Sequence, residues 1–251
     1  MNNRSPMNSF TDNSRPINSR YVLKATGPSD WRDYEACEIG ISIGNPCHEG
    51  DKFRSILQWA DKRFERCVIT LSDTQKRYTL MADGTEESAA YFKSRTAGDR
   101  WLEENRSAIQ SMTNAQPILI RWDTLLQQSA YTQIYNDVLH FRDTDPGFQK
   151  ALEKDARTYL SRRKSREESF NEQRAFENSL DFFVEEVACY ILIGRTYQAL
   201  RAYPAQDMAC FAYMRGDNIP DHLKGLELAP HLELNFKKKI IINKDKEKKA
   251  A

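Results

Sequence analysis

The segment Gly40-Ile41-Ser42-Ile43-Gly44-Asn45-Pro46 sets a serine between two glycines at the end of a β-branched run. The glycines permit a tight turn and a close approach of backbone to a bound group. A serine on such a turn offers its hydroxyl at a sheet edge beside backbone N–H groups, as an acyl-accepting nucleophile requires. The spacing fits G-x-S-x-G, the nucleophile turn of α/β-hydrolases. A phosphate-binding or purely structural strand–helix turn has the same pattern. Further along, Glu185 and Glu186 lie among Phe182, Phe183, Val187, Ala188 and Tyr190. A glutamate on an apolar helix face has its pKa raised by burial and can exchange protons with substrate. A solvent-facing pair at the helix edge is the alternative. Tyr203-Pro204 ends a short strand, where a phenol can relay a proton or serve as a buried structural group. A serine hydrolase would also need a later acid and then a histidine. The candidates are His48, too near the serine for the usual order, and His140, His222 and His231. No HGGG-like oxyanion segment precedes Ser42, so a serine esterase stands as the alternative reading.

The elements that must hold these residues alternate. Cys37–Ile43, Cys67–Leu71, Pro117–Trp122 and Leu200–Tyr203 read as strands, and Ala209–Met214 as a further one. Phe53, Ile56, Leu57, Ala60 and Phe64 recur at helical spacing, predicting a helix over 52–65. Residues 86–111 read helical, as do 130–193 with a break at Asp145-Pro146-Gly147. Asp123 is suited to cap the helix after the third strand. Strand–helix–strand alternation implies βαβ units around a parallel sheet, whose ligands bind at the carboxyl ends of the strands. That edge comprises 42–48, 72–75, 122–124 and 203–207.

With 251 residues, 40% of them hydrophobic, the chain can bury the core of one α/β domain. Residues 1–20 are poor in apolar anchors and predict a disordered arm, 21–236 a single domain, and the lysine-rich 237–251 a basic tail with a short strand at 240–242. Lys+Arg 37 against Asp+Glu 36 leaves +1, so nucleic-acid contact must come from a local patch. The five cysteines form no CxxC pair, which argues against a disulfide framework and a structural zinc site. No apolar run approaches the roughly 18 residues of a membrane span. No secretory leader is visible, so a cytoplasmic protein is expected.

These pieces together resemble the tRNA-dependent cyclodipeptide synthases. GISIGN, then ILQWADKRFERC, a strand ending SDT, and LMADG follow in that family's order. RWDTLLQQSAYTQIYNDV and FQKALEKDA look like its central helices, and Glu186 and Tyr203 fall at its late catalytic pair. The likeness spans about 35–215. It implies an α/β fold with a Rossmann-like parallel sheet flanked by helices, similar to the catalytic domain of class I tyrosyl- and tryptophanyl-tRNA synthetases. HIGH and KMSKS signatures are absent, so the implied substrates are two already activated aminoacyl-tRNAs, with no cofactor and no metal. Ser42 would take the first aminoacyl group, Glu186 would hold its amine, and Tyr203 would relay a proton. Two departures stand out. Phe182 occupies the place of a family tyrosine, and Asn45 matches one subgroup while Tyr203-Pro204 matches the other; the Tyr-Pro subgroup is the expectation.

By the same resemblance Gly40, Gly44 and Asn45 shape the nucleophile turn. Glu38, Thr70, Ser72, Cys189 and Arg201 line the first aminoacyl pocket, favouring a small, polar or charged side chain. For tRNA the candidates are Arg157, Arg162, Arg163, Lys164 and Arg166, with Lys93, Arg95 and Arg100 diluted by acids. A non-catalytic tRNA-binding protein is a further alternative, and a monomer is expected.

Overall fold

A computed structural model describes residues 20–166 and 169–239. The arm 1–19 and the expected strand at 240–242 lie outside the described residues. Among the described residues six strands form one sheet in the order β1-β6-β5-β2-β3-β4: β1 (Tyr21–Thr26), β2 (Ala36–Ile41), β3 (Arg66–Leu71), β4 (Gln116–Arg121), β5 (Leu200–Tyr203) and β6 (His231–Lys238). All neighbours are parallel except β1, which runs antiparallel on β6. Helices cover both faces, so β2 and β3 are apolar almost throughout rather than alternating with polar residues.

Two cores result. Cys37, Ile39 and Ile41 of β2 and Cys67, Ile69 and Leu71 of β3 pack under α1 (Gly50–Asp61) and α3 (Glu87–Gln110). The opposite face carries α4 (Trp122–Leu126), α5 (Ser129–Thr144), α6 (Pro146–Lys164) and α7 (Glu172–Tyr197). Strand periodicity puts Glu38, Gly40 and Ser42 on this second face, beside Thr70 of β3, Ser72 just beyond it, and Arg201 and Tyr203 of β5. Glu38 is opposite both Val68 and Arg201 in register, and Gly40 is opposite Thr70. One polar strip thus runs up the middle of the sheet, roofed by α7, which is buried continuously from Phe183 to Gly194. The short α2 (Lys76–Ala82) precedes α3.

Several expectations are corrected. Ala209–Met214 is a helix, α8, not a strand. Asp155 accepts from the Ala209 and Cys210 N–H groups at 3.0 and 2.8 Å and so satisfies its first turn. Asp123 caps nothing: α4 starts one residue earlier, behind Arg121. Its carboxylate instead accepts from the Thr74 hydroxyl at 2.8 Å and the Tyr91 hydroxyl at 2.7 Å, and pairs with Arg95. Lys237 and Lys238, counted above with the tail, belong to β6, opposite Val22 and Tyr21. The break at Asp145 is present, and there the aspartate does cap, accepting from Phe148 N–H at 2.7 Å. Among the described residues no helix is long and apolar enough to cross a membrane.

Candidate active site

Ser42 is the first residue beyond β2. Gly44 adopts φ +83°, a left-handed conformation that turns the chain back at once. The Asn45 side chain then accepts from Cys47 N–H at 3.0 Å and starts the one-turn helix Pro46–His48. That turn brings His48 under the serine. His48 Nδ1 accepts from Ser42 N–H at 2.9 Å, and the His48 carbonyl accepts from Trp101 Nε1 at 2.9 Å. Burial lowers the His48 pKa to about 4, so the ring is neutral and an acceptor at physiological pH. Its edge rests on Tyr203, ring centroids 5.3 Å apart. The Tyr203 hydroxyl lies 3.2 Å from Ser42 Oγ and accepts from Asn45 Nδ2 at 3.4 Å. Burial raises the Tyr203 pKa, which keeps the phenol protonated and able to donate.

Glu185 and Glu186 are both buried, so neither is the solvent-facing residue of the bland alternative. They differ in partners. Glu185 is saturated by Arg77, the Tyr78 hydroxyl at 2.9 Å and Trp122 Nε1 at 2.8 Å. Glu186 leaves Oε2 without a partner among the described residues. Burial, opposed by the cation of Arg201, raises its pKa to about 7. Glu186 opens on a cavity of about 510 Å³ that is also lined by Ser42, Tyr203, Arg201, Phe182 and residues of α6 and α8. The serine, the free carboxylate and the phenol therefore share one chamber at the carboxyl edge of the sheet.

Among the pocket candidates only Arg201 faces this cavity. Glu38, Thr70, Ser72 and Cys189 are buried and do not line it. Cys189, on α7, packs into the core. Glu38 adjoins Arg201 in register and accepts from the Tyr190 hydroxyl at 3.3 Å. Gly40 backs onto that same hydroxyl. Phe182 lines the chamber with its ring edge-on to Tyr78, 6.2 Å between centroids, and supplies no hydroxyl. Tyr159 and Lys154 were not anticipated, Asp207 was reached only as part of the edge 203–207, and His48 was weighed only as a hydrolase base. Tyr159, Lys154 and Asp207 line the chamber from α6 and the loop after β5, and no local motif marks them.

The basic candidates divide. Arg163 is buried, paired with Asp83 and set over the Phe170 ring at 4.5 Å, so it is structural and not available to a nucleic acid. Arg95 pairs with Asp123. Arg157 contacts Glu153 at 3.6 Å, and Lys164 contacts Glu172 at 2.7 Å. Arg162 and Arg166 are exposed, as are Lys93 and Arg100, and Arg162 also reaches the cavity wall.

A Rossmann-like sheet thus carries a serine, a buried glutamate with an unpartnered oxygen and a tyrosine together at its carboxyl edge, a set suited to acyl transfer. The family model described as cyclodipeptide synthase matches residues 30–198. The chain belongs to that family, whose members are transferases that use aminoacyl-tRNA. Among solved structures, a cyclodipeptide synthase from Fluoribacter dumoffii shares 25% identity over 87% of this chain and 100% of that one, with TM-score 0.77. A synthase from Candidatus Glomeribacter gigasporarum, bound to Phe-tRNAPhe, shares 15% identity over 82% and 89%, with TM-score 0.65. A Mycobacterium tuberculosis protein whose structure relates these enzymes to type I tRNA synthetases shares 13% identity over 88% and 95%, with TM-score 0.66. No curated protein sequence matches the chain.

Proposed function

We propose that the chain joins the aminoacyl groups of two aminoacyl-tRNAs into a 2,5-diketopiperazine by ping-pong catalysis through Ser42. The observation that carries this reading is the shared chamber: Ser42 Oγ against the Tyr203 hydroxyl at 3.2 Å, with the unpartnered Glu186 carboxylate on the same wall. Ser42 Oγ attacks the ester carbon of the first aminoacyl-tRNA. Its proton leaves for the departing ribose 3′-oxygen, and an aminoacyl-serine remains. The amine of the second aminoacyl group attacks that ester, and the dipeptide returns to Ser42 by a second transfer that releases the second tRNA. The free amine then attacks the Ser42 ester, closing the ring and regenerating the hydroxyl. Glu186 holds the substrate amine and takes up its proton, and Tyr203 hands a proton to Ser42 Oγ as it leaves.

Ser42 N–H is committed to His48, so the oxyanion donors in this scheme are the backbone N–H groups that follow, on Ile43 and Gly44. The same bond argues against the esterase reading. His48 faces the serine backbone rather than its hydroxyl, so it is not the base of a hydrolase triad. The ester is already activated, and the scheme requires no nucleotide or metal. Exposed Arg162 and Arg166, with Lys93 and Arg100, are the surface proposed for tRNA. Tyr203-Pro204 supports assignment to the Tyr-Pro subgroup, Asn45 serving as a turn cap and a partner of Tyr203. We also propose a monomer working in the cytoplasm, where charged tRNA is made.

The test is expression in bacteria with mass spectrometry of the medium for diketopiperazines, alongside acid precipitation of the purified protein after incubation with labelled aminoacyl-tRNAs. Product and protein-bound label are expected from the wild type, and both vanish in Ser42→Ala. Label retained by Ser42→Ala would remove Ser42 as the nucleophile.

A further inference from the structure

The charged groups on the chamber wall differ in how fully they are satisfied. Asp155 is occupied by two N–H groups of α8. Asp207 gives Oδ2 to Arg215, and its Oδ1, 3.7 Å from Arg201 Nη1, makes no hydrogen bond among the described residues. Glu186 leaves one oxygen for the substrate amine. Arg201 remains. Its side chain is only 3% exposed, yet it lines the cavity. Its guanidinium carbon is caged by three rings, 4.7 Å from the centroid of Tyr190, 4.9 Å from Tyr203 and 4.7 Å from Phe211. Aromatic faces attract the cation and hold its plane, but they do not replace in-plane oxygen acceptors.

Such acceptors are scarce around Arg201. Nη1 meets His231 Nδ1 at 3.3 Å and Asp207 at 3.7 Å, the Tyr190 hydroxyl lies alongside, and Nε has no partner among the described residues. Glu38, its neighbour across β2 and β5, has one oxygen turned to Tyr190 and the other unpartnered. A guanidinium carries five N–H donors in one plane, and burying them unfilled is costly. The group that best fills them is a planar carboxylate, which accepts two parallel bonds.

We propose that the aminoacyl group transferred to Ser42 is acidic, an aspartyl or glutamyl residue whose side-chain carboxylate binds Arg201 while its amine lies on Glu186. This selectivity rests on the reading of the site given above. Exposed Lys154 and Arg162 add positive charge to the same wall. Burial raises the pKa of both Glu38 and Glu186 to about 7, so near neutrality the incoming carboxylate does not face two full negative charges. A protonated Glu38 would also donate a hydrogen bond to its surroundings.

The experiment uses the full chain and four tRNAs charged with labelled Glu, Asp, Gln or Leu, scoring protein-bound label against time. Hydrogen bonds to a charged group predict that Glu or Asp acylates Ser42 about ten- to hundredfold faster than isosteric Gln. Arg201→Met should lose that preference and take Gln at least as well as Glu. Arg201→Lys, which keeps the charge but not the planar fork, should fall between the two. Wild-type labelling by Gln or Leu as fast as by both acids overturns the proposal without reference to any variant's folding. So does an Arg201→Met enzyme that still prefers acids. Ser42-dependent labelling by neutral residues alone would spare the acyl-transfer reading and remove only the selectivity. No Ser42-dependent label from any charged tRNA would overturn both.

Discussion

Glu186 combines burial with a missing partner, and in the proposed scheme its ionisation sets a pH profile. An isolated glutamate titrates near 4.5, and here burial moves it to about 7. In the proposed scheme the ionised form is the one that accepts the substrate amine. Activity on aminoacyl-tRNA is therefore expected to fall as pH drops from 8 to 6, with a midpoint near 7. Glu186→Gln should be far less active and should lack that limb. A variant with wild-type rate and an unchanged limb would assign the titration elsewhere. His48 contacts the Ser42 backbone and does not line the cavity, so the role expected for it is positioning. Its neutral Nδ1 holds the serine N–H, and its ring supports Tyr203. His48→Gln can present an amide oxygen in its place, whereas His48→Phe cannot. Acylation is expected to drop about tenfold or more in the Phe variant and to recover partly in the Gln variant, as one hydrogen bond of about 1–2 kcal/mol implies. Equal losses in both, with matching thermal melts, would mean that the bond is idle.

At the scale of the element, α6 separates residues that adjoin in sequence. Successive helical residues point about 100° apart. Arg163 therefore turns inward to Asp83 and Phe170, while Arg162 faces the chamber and solvent. Arg163→Ala is expected to lower stability by about 1–3 kcal/mol through a lost ion pair and lost packing. Arg162→Ala with Arg166→Ala should leave the melting temperature nearly unchanged. That pair should weaken tRNA binding and reduce its log–log salt slope by up to about 0.7–0.9 per phosphate contact removed. Thermal melts and binding titrations at several salt concentrations separate the two effects. An unchanged slope would move the tRNA face to α3, where Lys93 and Arg100 are exposed.

The whole molecule stabilises a charged strip in the middle of its sheet, and its stability should depend on pH. Burial lifts the Glu38 pKa from 4.5 to about 7, although Arg201 pulls the other way. A carboxyl whose folded pKa is raised contributes its stabilisation fully below 4.5, and loses it as pH climbs to about 7. The full effect is at most about 3 kcal/mol. Glu38→Gln removes the titration while keeping the shape. The variant should gain on the wild type by about 1–3 kcal/mol between pH 5 and pH 8 in denaturant melts. An identical difference at both pH values would show that Glu38 stays in one protonation state. With formal charge near zero at +1, the molecule lacks a general field for tRNA, so its salt dependence should rest on few residues.

How much was legible in the chain follows from the range of the forces involved. Strands β2 and β3 were readable because strands covered on both faces must be continuously apolar, which is a local property. The turn at Ser42 was readable because its glycines are local too. Glu186 and Tyr203 were reached through their place in the family pattern, since composition alone leaves Glu185 and Glu186 equivalent. Only the fold separates those two, giving Glu185 three side-chain partners from distant segments and Glu186 none for Oε2. Ala209–Met214 was misread because six mostly apolar residues suit a strand or a helix equally. The choice is made by Asp155, 54 residues upstream, which satisfies the helix N-terminus. The same holds for His48 beneath Ser42, for the cage around Arg201, and for the inward turn of Arg163. Each depends on contacts between segments far apart in the chain, and desolvation acts on a side chain only once those segments have closed over it.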